Sequence, residues 1–261
     1  VLPSGNYEPT KSAGNEFKFD TSKPTATVVS PLHEKAYKEN QLTILSGTAG
    51  DTSPGEMSTV KLTIQDLNNA GKYWNSDTWV TGVVELSTYT APGSSVTFDG
   101  TNWTYVFSDG NKDTGHKYIV TAKAIDKAVN EQVLFSVPLS SRSFIYDTNY
   151  PESAMTYPNP ANLYLNSIPL ISGTAKDNPV SPLYSAGIST TPVTNVQLRI
   201  QDLTQGATYW DVGTSKWTPA ISSCPCSPVD ATLSEYTTWQ FSGVSWISDH
   251  EYKIYPFATD N

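Results

Sequence analysis

Six aspartates stand at matched places in the chain. Asp20, Asp51 and Asp126 are followed by Asp147, Asp177 and Asp260, all beside turns that flank apolar runs. Loop carboxylates with neighbouring carbonyls are the chemistry of calcium, a hard cation that takes about six to eight oxygens. The plainer role for such an aspartate is an Asx-turn, in which it accepts a backbone N–H two residues on. These residues require no cofactor, and calcium is the one cation they could hold. Tyr73-Trp74 and Tyr209-Trp210 are a second recurring set. Exposed, such rings stack on sugars and would make each copy a glycan-binding surface; buried, they cover a core. Cys224 and Cys226 flank Pro225. They read either as a small strained loop disulfide or as two idle thiols, and no further soft ligand at metal spacing joins them. Of the three histidines, His33, His116 and His250, the last two precede Tyr118 and Tyr252 by the same step and read as surface or turn residues. There is no nucleophile elbow and no phosphate-cradling glycine loop. The chain is not read as an enzyme.

These residues sit on an internal repeat. Ser46-Gly47-Thr48-Ala49 returns as Ser172-Gly173-Thr174-Ala175, and Ile64-Gln65-Asp66-Leu67 as Ile200-Gln201-Asp202-Leu203. Trp103 returns as Trp239, and Tyr118 with Asp126 as Tyr252 with Asp260. A repeat of this length holds enough chain to close a core of its own. The stretch Asn178–Thr194 is longer than its counterpart and reads as a loop insertion. Short β-branched and aromatic runs (Thr25–Val29, Leu42–Leu45, Val60–Ile64, Trp103–Phe107, Tyr118–Ala124) alternate with Gly, Pro and Asp clusters. That pattern predicts an all-β protein of two tandem antiparallel sandwiches. The expected division is an N-terminal segment over 1–19, a first domain over 20–147 and a second over 148–261.

Charged residues make up 16% of the 261, and the net charge is −9. With no basic stripe, nucleic acid is excluded as a partner. No apolar run reaches the roughly 20 residues of a membrane-spanning helix. Polarity from Ser, Thr and Asn, with two cysteines, suits an exported bacterial protein, extracellular or at the cell surface.

Three motifs carry a family resemblance. They are Asp-Thr-x-x-Pro at each opening, Ser-Gly-Thr-Ala-x-Asp in an early strand, and Tyr118 through Asn130 near the end of the first copy. They resemble bacterial immunoglobulin-like repeats of large surface proteins and adhesins, although Val129 stands where the pattern prefers glycine. The resemblance implies immunoglobulin-like sandwiches serving as spacers or binding arms. In some adhesins of this kind calcium stiffens the joints between modules.

The phase of the repeat adds a second expectation. Phe144-Ile145-Tyr146-Asp147 closes the first copy, but the second runs only through Tyr252, Ile254, Tyr255 and Phe257 to Asp260-Asn261. The matching closure, Phe17-Lys18-Phe19-Asp20 preceded by Asn15, lies at the front. One reading is a window cut from a longer array, joined to neighbouring repeats of that chain. The other is a donor strand over 13–20, with Asn15, Phe17 and Phe19 completing the open sandwich along Tyr252, Ile254, Tyr255 and Phe257 of another copy. Strand addition of this kind gives main-chain hydrogen bonds for affinity and side-chain pockets for specificity. The expected function is a structural spacer or filament subunit joined head to tail. The alternative is an adhesin or carbohydrate-binding module with a glycan or host-surface ligand.

Overall fold

The computed structural model describes residues 15–87, 95–159, 161, 164–176, 196–206, 208–219, 229–230, 232–234 and 238–259. Asp177, Asp260, Cys224 and Cys226 lie outside the described residues, as do Ala13 and Gly14.

Among the described residues, the first repeat forms ten strands. They are β1 (Thr25–Ser30), β2 (Lys35–Tyr37), β3 (Ile44–Gly50), β4 (Met57–Asp66), β5 (Tyr73–Trp74), β6 (Trp79–Val80), β7 (Thr97–Phe98), β8 (Asn102–Val106), β9 (His116–Asp126) and β10 (Ser141–Tyr146). One sheet has the order β1-β3-β8-β7, the other β2-β10-β9-β4-β5-β6. All pairings are antiparallel except β2 with β10. Alternation along β4 and β9 turns Val60, Leu62, Ile64, Tyr118, Val120, Ala122 and Ala124 inward, where they meet Val28, Leu45, Trp103 and Tyr105 of the other sheet in one core.

The second repeat forms β11 (Glu152–Tyr157), β12 (Ile171–Lys176), β13 (Val196–Asp202), β14 (Thr208–Asp211), β15 (Lys216–Pro219), β16 (Val229–Asp230), β17 (Thr232–Ser234), β18 (Thr238–Phe241) and β19 (Tyr252–Ala258). Its sheets run β11-β12-β18-β17 and β15-β14-β13-β16, with β19 paired to the other side of β13. Ile171, Ala175 and Trp239 from one sheet pack on Val196, Leu198, Ile200 and Trp210 from the other. The chain is thus all-β, with two β-sandwich domains.

The repeated motifs are explained by contacts. Gly47 lies opposite Trp103, and Gly173 opposite Trp239. A Cβ on Gly47 would stand 1.9 Å from the Thr27 carbonyl and 2.5 Å from the Trp103 ring; on Gly173 it would stand 2.1 Å from the Ala154 carbonyl and 2.1 Å from the Trp239 ring. The glycine makes the slot in which the indole lies flat on the sheet. Asp66 and Asp202 are completely buried. Asp66 Oδ1 accepts the N–H groups of Asn68 and Asn69, and Oδ2 pairs with His116 Nδ1 at 2.8 Å. Asp202 repeats this with Thr204, Gln205 and His250, the last at 2.6 Å. The two histidines are thus half-buried pins between a strand end and a turn rather than free surface residues. Tyr118 Oη accepts the Asp113 N–H at 2.7 Å, and Tyr252 Oη the Ile247 N–H at 2.8 Å, closing the same corner twice.

The apolar run leading into β10 is mostly not strand. Within Gln132–Tyr146 only Ser141–Tyr146 is strand. The stretch before it crosses between sheets: the buried Gln132 side chain accepts the N–H groups of Ala26 and Ala124, and the Leu139 carbonyl accepts that of Val28. A chain that serves both sheets cannot stay in the ladder of one.

Candidate functional site

Two places stand out. The first is a carboxylate cluster at one end of the first sandwich. Asp126 ends β9, Asp51 follows β3, and Asp20 precedes β1. Each offers an oxygen within 4.8 Å of the others. Asp126 is buried and accepts the Asn130 N–H and the Asn130 side-chain amide, both at 2.8 Å. The same amide reaches the Asp20 carbonyl at 3.2 Å. Asp20 Oδ1 accepts the Ser22 N–H, and Asp51 Oδ1 accepts the Thr52 N–H. Their other oxygens, both Oδ2, are buried and have no hydrogen-bond partner. Those two oxygens converge beside Gly55, where an added Cβ would meet Asp51 Oδ2 at 2.1 Å and Asp20 Oδ2 at 2.6 Å. Three like charges this close repel one another strongly when desolvated. Lys18 and Lys127 line the same hollow as Asp20 and Gly55, and both are engaged by Glu56. Hydrogen bonds from Lys127 and then Lys18 hold the Glu56 carboxyl down at about 2. Orphaned carboxylate oxygens in a small cradle match the donor set of a calcium ion.

Three of the sequence-predicted calcium residues therefore meet, and Asp147 does not join them. It is buried, with Oδ1 accepting the Thr114 hydroxyl and the Asn149 N–H. Asp147 occupies in the second copy the place of Asp20 in the first, down to the N–H two residues on. A further group, Asp66, Asp113 and His116, also brings ligand atoms together. There Asp66 is already saturated, and the residue matching Asp113 in the second copy is Ile247, so the repeated feature is the Asp–His pair alone.

The second place is the outer edge of β19. In the first domain, β9 is paired on both sides, with β4 and with β10. Its counterpart β19 pairs with β13 over Tyr252–Ala258, and among the described residues no strand pairs with its other side. The consequence reaches the side chains. Tyr118, Val120, Ala122 and Ala124 of β9 are fully buried, whereas Tyr252, Ile254, Pro256 and Ala258 of β19 are partly exposed and Phe257 is exposed. Phe144 of β10 stacks on Tyr118 at 5.3 Å and receives Tyr37 edge-on at 6.0 Å. Tyr37 is 6% exposed; Tyr164, which follows Pro158 as Tyr37 follows Pro31, is 94% exposed. Tyr252 packs on Trp217 and Trp246, at 5.1 and 4.8 Å, and the described part of this domain holds no counterpart of Phe144. Meanwhile Phe17 and Phe19, in a segment outside any strand, are 86% and 77% exposed.

The expected sugar-stacking surface is not formed by its tryptophans. Trp74 and Trp210 are buried. Trp74 donates its indole N–H to the Tyr105 hydroxyl at 2.9 Å and packs on Trp79 and Phe107. Trp210 packs on Trp217. Their alternate partners Tyr73 and Tyr209 are partly exposed single rings. The tryptophans recur because each copy needs them in its core.

No family model and no curated protein matches the chain. Among solved structures, it is similar to fibronectin(III)-like modules of CbhA from Clostridium thermocellum, at 13% identity over 90% of this chain and 86% of that one, with a TM-score of 0.33. At that distance the two-sandwich architecture rests on the strand order described above.

Proposed function

We propose that this protein is a structural, extracellular repeat protein of bacterial type, built of immunoglobulin-like modules, whose copies join head to tail by strand addition. The observation that carries this reading is the edge of β19, unpaired among the described residues, in a chain that also carries an exposed Phe-Lys-Phe-Asp matching the Phe-Ile-Tyr-Asp at the end of β10. The tyrosine corner in each domain supports the immunoglobulin-like assignment. An unpaired strand edge over a partly bare core is adhesive and costly to leave in water. A strand from another copy relieves both. The test is light scattering and electron microscopy on the 261-residue protein and on a form lacking residues 1–19. The full chain is expected to form linear polymers and the deletion to stay monomeric; polymers from the deletion would overturn the reading.

A divalent cation, with calcium the best fit to the donors, belongs to the same reading, bound by Asp20, Asp51 and Asp126. The two orphaned Oδ2 atoms support it. Bound to the folded state alone, calcium at about one hundred times its Kd would stabilise the first domain by about 2.7 kcal/mol. Calorimetry should show one transition rising with calcium and falling in chelator, and Asp51→Asn should abolish the shift. A melting profile identical in calcium and in chelator would sink the assignment.

A further inference from the structure

We infer that the junction between copies has a single register, Phe17 of one copy opposite Tyr252 of the next, and that two charge pairs select it. The inference rests on the strand-addition reading above. Its template is the first domain, where Phe144 lies opposite Tyr118, Ser143 opposite Ile119, Ile145 opposite Lys117 and Tyr146 opposite His116. Replacing each residue by its counterpart in the repeat places Phe17 against Tyr252, Glu16 against Lys253, Lys18 against Glu251 and Phe19 against His250. Phe17 then lies on Tyr252 as Phe144 lies on Tyr118. On the outer face both flanking pairs are of opposite charge. Lys253 on β19 and Glu251 just before it are exposed and have no ion pair among the described residues.

The same charges reject the wrong alignments. Slipping by one residue turns both phenylalanines to solvent. A slip of two keeps the aromatic face but sets like charges opposite: Lys18 against Lys253 in one direction, Glu16 against Glu251 in the other. Directly opposed like charges destabilise a strand pair, and opposite charges support it. Lys18 now pairs with Glu56 of its own domain and gives up that contact on joining, while Glu56 keeps Lys127.

The experiment uses the full chain with Cys224→Ser and Cys226→Ser as background. Lys18→Cys mixed with Glu251→Cys should form an intermolecular disulfide under mild oxidation, and Lys18→Cys mixed with Lys253→Cys should not. In parallel, Glu251→Lys should weaken association about threefold to tenfold, and Lys18→Glu combined with Glu251→Lys should restore it. Polymers that cross-link in the slipped pair, or that ignore both reversals, would overturn the register and leave strand addition standing. A full chain that does not associate, and whose 13–20 peptide does not bind the form lacking residues 1–19, would overturn both.

Discussion

Gly47 and Gly173 show how a repeated letter can carry a packing demand. Each lies under an indole whose own backbone is fixed in the neighbouring strand, so a methyl group has nowhere to go. Gly47→Ala is expected to cost about 1–3 kcal/mol, the range for overpacking a closed core, read as a fall in the urea midpoint with unchanged slope. The Asp–His pins make a pH prediction. Burial opposes the charge on Asp202, but the hydrogen bond from His250 and then those from the Gln205 and Thr204 N–H groups hold its carboxyl below the ordinary value. A carboxylate depressed by folding contributes stability that is complete above its unfolded pKa, and loses it as the pH falls below about 4. Asp202→Asn should therefore flatten the acid limb of the stability curve of the second domain; an unaltered limb would place the acid sensitivity elsewhere. The repeat marked Asp66, His116, Asp202 and His250 as matched positions. It did not pair them, because each Asp and its His are far apart in sequence and meet only when β4 lies beside β9, and β13 beside β19.

At the level of elements, the alternation of short apolar runs was enough to place most strands and the two sandwiches. What it could not place was the crossing segment before β10. Val133, Leu134, Phe135, Val137 and Leu139 look like strand and are largely exposed, because Gln132 and the Leu139 carbonyl tie the chain to both sheets at once. The contrast between β9 and β19 was visible in the phase of the repeat, but the bare Tyr164 needed coordinates. It yields an exchange prediction. In isolated monomers, the β19 amides that face away from β13 should exchange at rates near those of solvent-exposed backbone, and on assembly they should become protected along with those facing β13. Phe17→Ser with Phe19→Ser should prevent that protection while leaving the β9 amides unchanged. Protection of the β19 outer edge in a monomeric sample would show that the edge is covered some other way. The carboxylate cluster was legible as residue types at turns. That Asp20, Asp51 and Asp126 meet follows from which loops the first sandwich brings together; Asp147 holds the place of Asp20 in the second copy, whose Asp177 and Asp260 lie outside the described residues.

Across the whole molecule, the two halves are alike in core and unlike in closure. The first domain has its β10 within its own fold; in the second, among the described residues, no strand pairs with the matching edge of β19. The segment that could fill it ends at Asp20, which also belongs to the carboxylate cluster, so a cation held there would steady the root of the joining strand. In the proposed head-to-tail assembly the Phe17–Phe19 segment and the β19 edge are different surfaces, so each added copy would use one of each and offer one of each again. Such a thread has a direction. At one tip it would show aromatic side chains without a groove, at the other a groove without a strand, so starting, extending and sealing it would be separate chemical tasks with separate inhibitors.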